Sequence, residues 1–137
     1  MARAALAISR SPSQDLAKQS LLFKSGGGWS ATLTDQITAT VGFYPGSSWE
    51  RHAPVWSHYS GKECLIHCAE GDGTSAAPGI QEALREINTA GGKAVAFDYA
   101  GTSHAFFNND RPEVFSVDAA KLAWARTINF FAQQLSE

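Results

Sequence analysis

The apolar positions of this chain come in two alternating patterns. Short, nearly unbroken apolar runs are followed by stretches in which apolar residues recur every three or four positions. Residues 37–44 (ITATVGFY) are rich in β-branched and aromatic side chains and predict a strand. Residues 64–69 (CLIHCA) and 94–99 (AVAFDY) predict two more, and residues 20–23 a short fourth before the turn Lys24-Ser-Gly-Gly-Gly28. Between the second and third long runs, Ile80, Ala83, Leu84 and Ile87 fall on one helical face, with Pro78 suited to the first turn and Gly91-Gly92 to the stop. A last helix is predicted over residues 117–135, with Leu122, Ala125, Ile128, Phe131 and Leu135 along one side. The aromatic-rich stretch 45–62 is irregular and is expected as a surface excursion. Residues 2–8 are expected as a short helix. Ser13 has the character of a helix start, with a turn of helix running to Ser20.

Strands alternating with helices of this length mean βαβ units and a mainly parallel sheet of about four strands, covered on both faces to give three layers. Runs without polar alternation fit strands buried on both sides. In such sheets ligands and chemistry sit just past the carboxyl ends of the strands.

Composition narrows the partners. The 137 residues suffice for one core, and 44% hydrophobic with 18% charged residues is a globular balance. A net charge of -2 lacks the basic stripe that nucleic acid requires. No apolar stretch approaches about 18 residues, so no membrane span is expected. Cys64 and Cys68, four apart on one strand, would stand roughly 13 Å from each other at about 3.3 Å per residue. That is too far for a disulfide, and they fit buried thiols in a reducing, cytoplasmic compartment. His52, His58, His67 and Cys68 lack metal-site spacing, so no metal or other cofactor is expected. His67, inside a strand, fits a hydrogen-bonded core histidine.

The residues that follow the strands carry the chemistry. Ser25 follows the first, Glu70 and Asp72 the third, and His104 the fourth. Serine, acid, histidine is the chain order of α/β-hydrolase triads. A serine hydroxyl is a weak nucleophile until an imidazole takes its proton, and the imidazole needs a carboxylate to fix its tautomer. Taken singly, Asp72 also fits a loop cap and Ser25 a turn residue.

Gly42-Phe-Tyr, LIHCAEGD (65–72), YAGTSHAFFN (99–108), Arg111-Pro-Glu and AAKLAWARTINFF (119–131) together resemble the C-terminal half of the dienelactone hydrolase family. The His104-Ala-Phe-Phe-Asn…Arg111-Pro stretch is the most specific part. The resemblance implies a truncated α/β-hydrolase-like fold that cleaves small esters or lactones, with residues 20–137 as that half and 1–19 as a divergent segment. It implies Asp72 as triad acid and His104 as triad base. The family's elbow, Gly-x-Cys/Ser-x-Gly-Gly, matches Phe23-Lys-Ser-Gly-Gly-Gly28 with Ser25 as nucleophile and Phe23 in place of the first glycine. A shifted register puts Lys24 at that position instead and leaves no nucleophile. The Gly26 N–H is one oxyanion donor. The second would come from a front half that residues 1–19 do not resemble. Trp49, Phe106 and Phe107 are expected to line an apolar pocket, although core and interface roles fit them too. Two functions follow. One is a hydrolase using Ser25, His104 and Asp72. The other is a truncated, catalytically silent remnant acting as a binding or oligomeric module. Without a front half, residues 20–23 would be an exposed edge, and a homodimer or even oligomer through residues 21–23 is expected.

Overall fold

The computed structural model describes residues 6–8, 19–24, 37–45 and 54–136. They form one five-stranded sheet with α-helices on its two faces. Its strands are β1 (Leu6–Ile8), β2 (Gln19–Lys24), β3 (Ile37–Phe43), β4 (Glu63–Ala69) and β5 (Lys93–Tyr99), side by side in that order. β2 to β5 run parallel, and β1 is antiparallel to β2. The helices are α1 (Pro78–Thr89), between β4 and β5, and α2 (Val117–Ser136), after β5.

The four predicted strands are present within a residue or so of their expected bounds. β3 and β4 are buried over almost their whole length, as continuous apolar runs require. β5 has an equally apolar sequence, yet Lys93, Val95 and Asp98 are exposed, because it forms the outer edge. At the other edge the expectations fail. Residues 6–8, expected as helix, pair as a strand with residues 20–22, and residues 19–20, expected to end a helix, open β2. Leu21 and Leu22 therefore have main-chain neighbours on both sides, so the bare edge on which a dimer through residues 21–23 was to rest is occupied there by β1. The rest of the expected N-terminal helix lies outside the described residues.

Strand alternation divides the core. Leu65 and Ala69 face α2, together with Val41, Phe43, Phe106, Ala123 and Phe131. Cys64, Ile66 and Cys68 face the other way, against Tyr59, Ile80, Ala83 and Ile87. Helix α1 matches its predicted face: Ile80, Ala83 and Ile87 are buried and Leu84 is partly so. Tyr59, expected in a surface excursion, closes a 3-10 turn at Trp56–Tyr59 and is among the largest fully buried side chains. Its ring belongs to the same buried cluster as Ile80, Ala83 and Ile87 of α1.

Among the described residues, α2 shares only Phe131 between its buried face and the apolar side read from its sequence. Ala120, Ala123, Thr127 and Phe131 are buried, whereas Leu122 and Ile128 are exposed. Ala120 and Ala123, at i and i+3, stand on the side of the helix that carries the buried Thr127 and Phe131. Thr127 is buried because it meets His67. The Thr127 hydroxyl donates to Ala123 O at 2.8 Å, and so accepts from His67 Nε2, 2.8 Å away. His67 Nδ1 then accepts the Tyr99 hydroxyl proton at 2.7 Å. The ring is a neutral, fully hydrogen-bonded core histidine, as its place in an apolar strand predicted.

Gly91 takes φ +89° just past the end of α1, the left-handed position that glycine accepts without strain. At Gly92 the constraint is space. A Cβ there would stand 2.5 Å from Tyr59 O and 2.9 Å from Lys62 O, both main-chain atoms that cannot swing aside. Gly92→Ala is expected to destabilise the fold by about 1–3 kcal/mol, as a lower urea midpoint at unchanged slope.

Candidate active site

Four parallel strands bring their carboxyl ends to one edge of the sheet, so the loops after β3, β4 and β5 meet there. β4 leads into two 3-10 turns, Glu70–Asp72 and Thr74–Ala76, joined by Gly73 at φ +93°. β5 leads into the loop carrying His104. The two loops place His104 Nδ1 2.8 Å from Asp72 Oδ2. The pair is open to solvent, with 50% of the His104 side chain and 37% of the Asp72 side chain exposed. Because a carboxylate accepts only, Nδ1 carries the proton when the ring is neutral, and Nε2 then offers a lone pair. Nε2 has no hydrogen-bond partner among the described residues.

Tyr44 supports the histidine from below. It follows the last residue of β3, and its ring meets that of His104 edge to face, with centroids 4.8 Å apart. Its backbone has φ +37°, uncommon for a residue with a side chain, and is held there by a hydrogen bond from its N–H to His67 O at 2.6 Å. Such outliers persist where the surroundings over-determine them, often at ligand sites. Burial pushes the Tyr44 phenol up to about 12; the Arg111 charge opposes this and Asp72 adds to it. Tyr44 therefore stays a neutral ring and hydroxyl at ordinary pH.

Tyr44, Cys68, Asp72, Ile80 and His104 line a cleft of about 270 Å³. Apolar walls with one acid–imidazole pair fit a site for a small, mostly apolar molecule. Burial first, then the charges of Asp98 and Asp72, push the Cys68 thiol up to about 12, so it stays protonated at ordinary pH. Among the described residues no three His, Cys, Asp or Glu side chains group as a metal site would, and no helix is long and apolar enough to cross a membrane.

Of the residues singled out from sequence, Asp72 and His104 are brought together. Ser25, Gly26 and Trp49 lie outside the described residues. Phe106 and Phe107 do not line the cleft. Phe106 is fully buried, its ring against Tyr44 at 5.6 Å and Tyr99 at 5.0 Å. Phe107 packs against Phe43 and Trp124. Both belong to the core beneath the histidine loop, the second of the roles that fitted them, because the chain turns inward directly after His104. Tyr44 was the residue sequence reasoning left without a role, although an aromatic at the carboxyl end of a strand was a signal for it.

Residues 26–135 match the family model described as the dienelactone hydrolase family. No curated protein sequence matches the chain. Among solved structures, one described as a "putative dienelactone hydrolase" from Klebsiella pneumoniae is similar, with a TM-score of 0.57 and 19% sequence identity. The likeness, which is one of fold, covers 82% of this chain and 51% of that one, so this chain spans about half the length of its structural neighbour.

Proposed function

The chain belongs to the dienelactone hydrolase family, and from that premise we propose that it hydrolyses small carboxylic esters or lactones through Ser25, His104 and Asp72. The observation that carries this reading is the Asp72–His104 pair, 2.8 Å apart on the wall of the cleft. His104 Nε2 takes the proton of the Ser25 hydroxyl as Oγ attacks the substrate carbonyl. Asp72 keeps the other ring proton on Nδ1 and stabilises the imidazolium that forms. The Gly26 N–H meets the oxyanion of the tetrahedral intermediate. As the intermediate collapses, His104 returns the proton to the leaving alkoxide. Water, deprotonated by the same imidazole, then releases the acid from the serine.

The end of β2 supports Ser25 over Lys24. Lys24 is the last residue of the strand, in register with Phe43. A nucleophile elbow is the turn that follows such a strand, and Ser25 is the next residue.

A short aryl ester and a fluorophosphonate test the reading. The expected result is turnover of the ester and a phosphonate mass on the peptide containing Ser25, with both suppressed together. Acylation found on Lys24, or turnover with Ser25 unlabelled, excludes the assignment. No turnover and no label favours the silent binding module.

A further inference from the structure

We propose that Glu70 is a positioning residue for the Asp72–His104 pair, its carboxylate latching the loop that carries the acid to the loop that carries the base. The need for a latch follows from exposure. A hydrogen-bonded acid–imidazole contact as open to water as this one holds its own geometry with about 0.2–1 kcal/mol at most, even when charged. Its 2.8 Å approach must therefore be set by the two backbones that present the side chains.

Those backbones are fastened directly. The Gly71 N–H donates to Thr102 O at 2.9 Å. The Glu70 N–H points to Thr102 Oγ1 at 3.3 Å, and that hydroxyl donates to Tyr99 O at 2.6 Å. The loops run so close that a Cβ on Gly71 would stand 3.3 Å from Ser103 Cα. Across this seam the Glu70 carboxylate Oε2 accepts the N–H of Gly101, a residue at φ +70°. It is an ionised acceptor, as is Asp98, whose carboxylate accepts from the N–H and hydroxyl of Ser75 farther along the same loop, and hydrogen bonds to ionised acceptors are about twice as strong as neutral ones. Glu70 stands two residues before Asp72, and Gly101 three before His104. A slip at the latch therefore reaches both members of the pair. Misplacement by about 1 Å costs up to about 10²-fold in rate, so a partial loosening is felt.

The test uses the full chain with Glu70→Ala and Glu70→Gln. A glutamine oxygen accepts the same N–H, and alanine leaves it to water. In Glu70→Ala, exchange of the Gly101 amide is expected to quicken and the low-field proton resonance of His104 Nδ1–H to broaden away. kcat for the aryl ester is expected to fall about tenfold at unchanged KM. The urea midpoint should stay near wild type, since Glu70 is exposed. Glu70→Gln should restore the resonance and most of kcat. A His104 resonance and a kcat untouched in Glu70→Ala overturn the proposal, as does a loss that glutamine does not rescue. The kcat arm rests on the hydrolase reading and the resonance arm does not. A wild-type chain without turnover but with a Glu70-dependent His104 signal rejects the hydrolase and upholds the latch.

Discussion

Asp72→Asn is expected to lower kcat for aryl ester hydrolysis by about 10⁴-fold while leaving the fold intact. The two side chains have the same shape, and Asp72 sits at the surface with 37% of its side chain exposed, so the change in stability should stay below about 1 kcal/mol. The chemistry is another matter. In the proposed mechanism the carboxylate holds a proton on His104 Nδ1 and leaves Nε2 free to accept the serine proton. Asparagine can turn its N–H toward Nδ1, which drives the ring proton to Nε2 and blocks acceptance there. It also carries no charge to stabilise the imidazolium. His104→Ala should cost a similar factor, and the double variant little more than either single one, because residues that act as one unit lose their effect once. Steady-state kinetics with a parallel urea titration measure all three. A loss below tenfold in Asp72→Asn at wild-type stability removes Asp72 from the reaction.

How much of this was legible before the structure depended on which force set each feature. The parallel strands were legible because residues 37–44, 64–69 and 94–99 are β-branched and apolar without alternation, which few other elements tolerate. The face of α1 was legible because Ile80 and Ile87 are both large and both buried. The face of α2 was legible only at Phe131. The rest of it consists of two alanines, Ala120 and Ala123, and of Thr127 with its buried hydrogen bond, and hydrophobic periodicity gives such residues little weight. Tyr59 was missed for a related reason, since an aromatic in an irregular segment gives no sign of which way it points. At the site, the meeting of Asp72 and His104 was legible from chain order and strand ends together with the family resemblance of their two segments. The seam between their loops was not, because it consists mainly of main-chain groups at Gly71, Gly101 and Thr102, which any sequence supplies. Phe106 and Phe107 fitted a pocket, a core or an interface equally from sequence, and it is the core that holds them.

His67 gives the second large effect, in stability. Its ring is completely buried between β4 and α2 and bonded at both nitrogens in the neutral form. Burial, reinforced by the nearby Arg126 charge, lowers its pKa to about 3 from an ordinary value of 6.5. The unfolded chain therefore binds a proton between those two values that the folded chain refuses. Stability from this group is complete above pH 6.5 and is lost as pH falls toward 3. At about 1.4 kcal/mol per pH unit, lowering the pH from 6.5 to 4.5 should cost on the order of 2–3 kcal/mol. Protonation would also put a second donor against the Tyr99 hydroxyl and a second positive charge beside Arg126, whose guanidinium lies 4.0 Å over the Phe97 ring. Release of α2 from the sheet is the expected acid-unfolding step. Urea titrations at pH 7.5 and 4.5 on the wild type and on His67→Gln separate this term from the carboxylates, which titrate alike in both proteins. The glutamine variant should start less stable and show a shallower decline, by about the amount above. Parallel declines in the two proteins would place the acid sensitivity elsewhere.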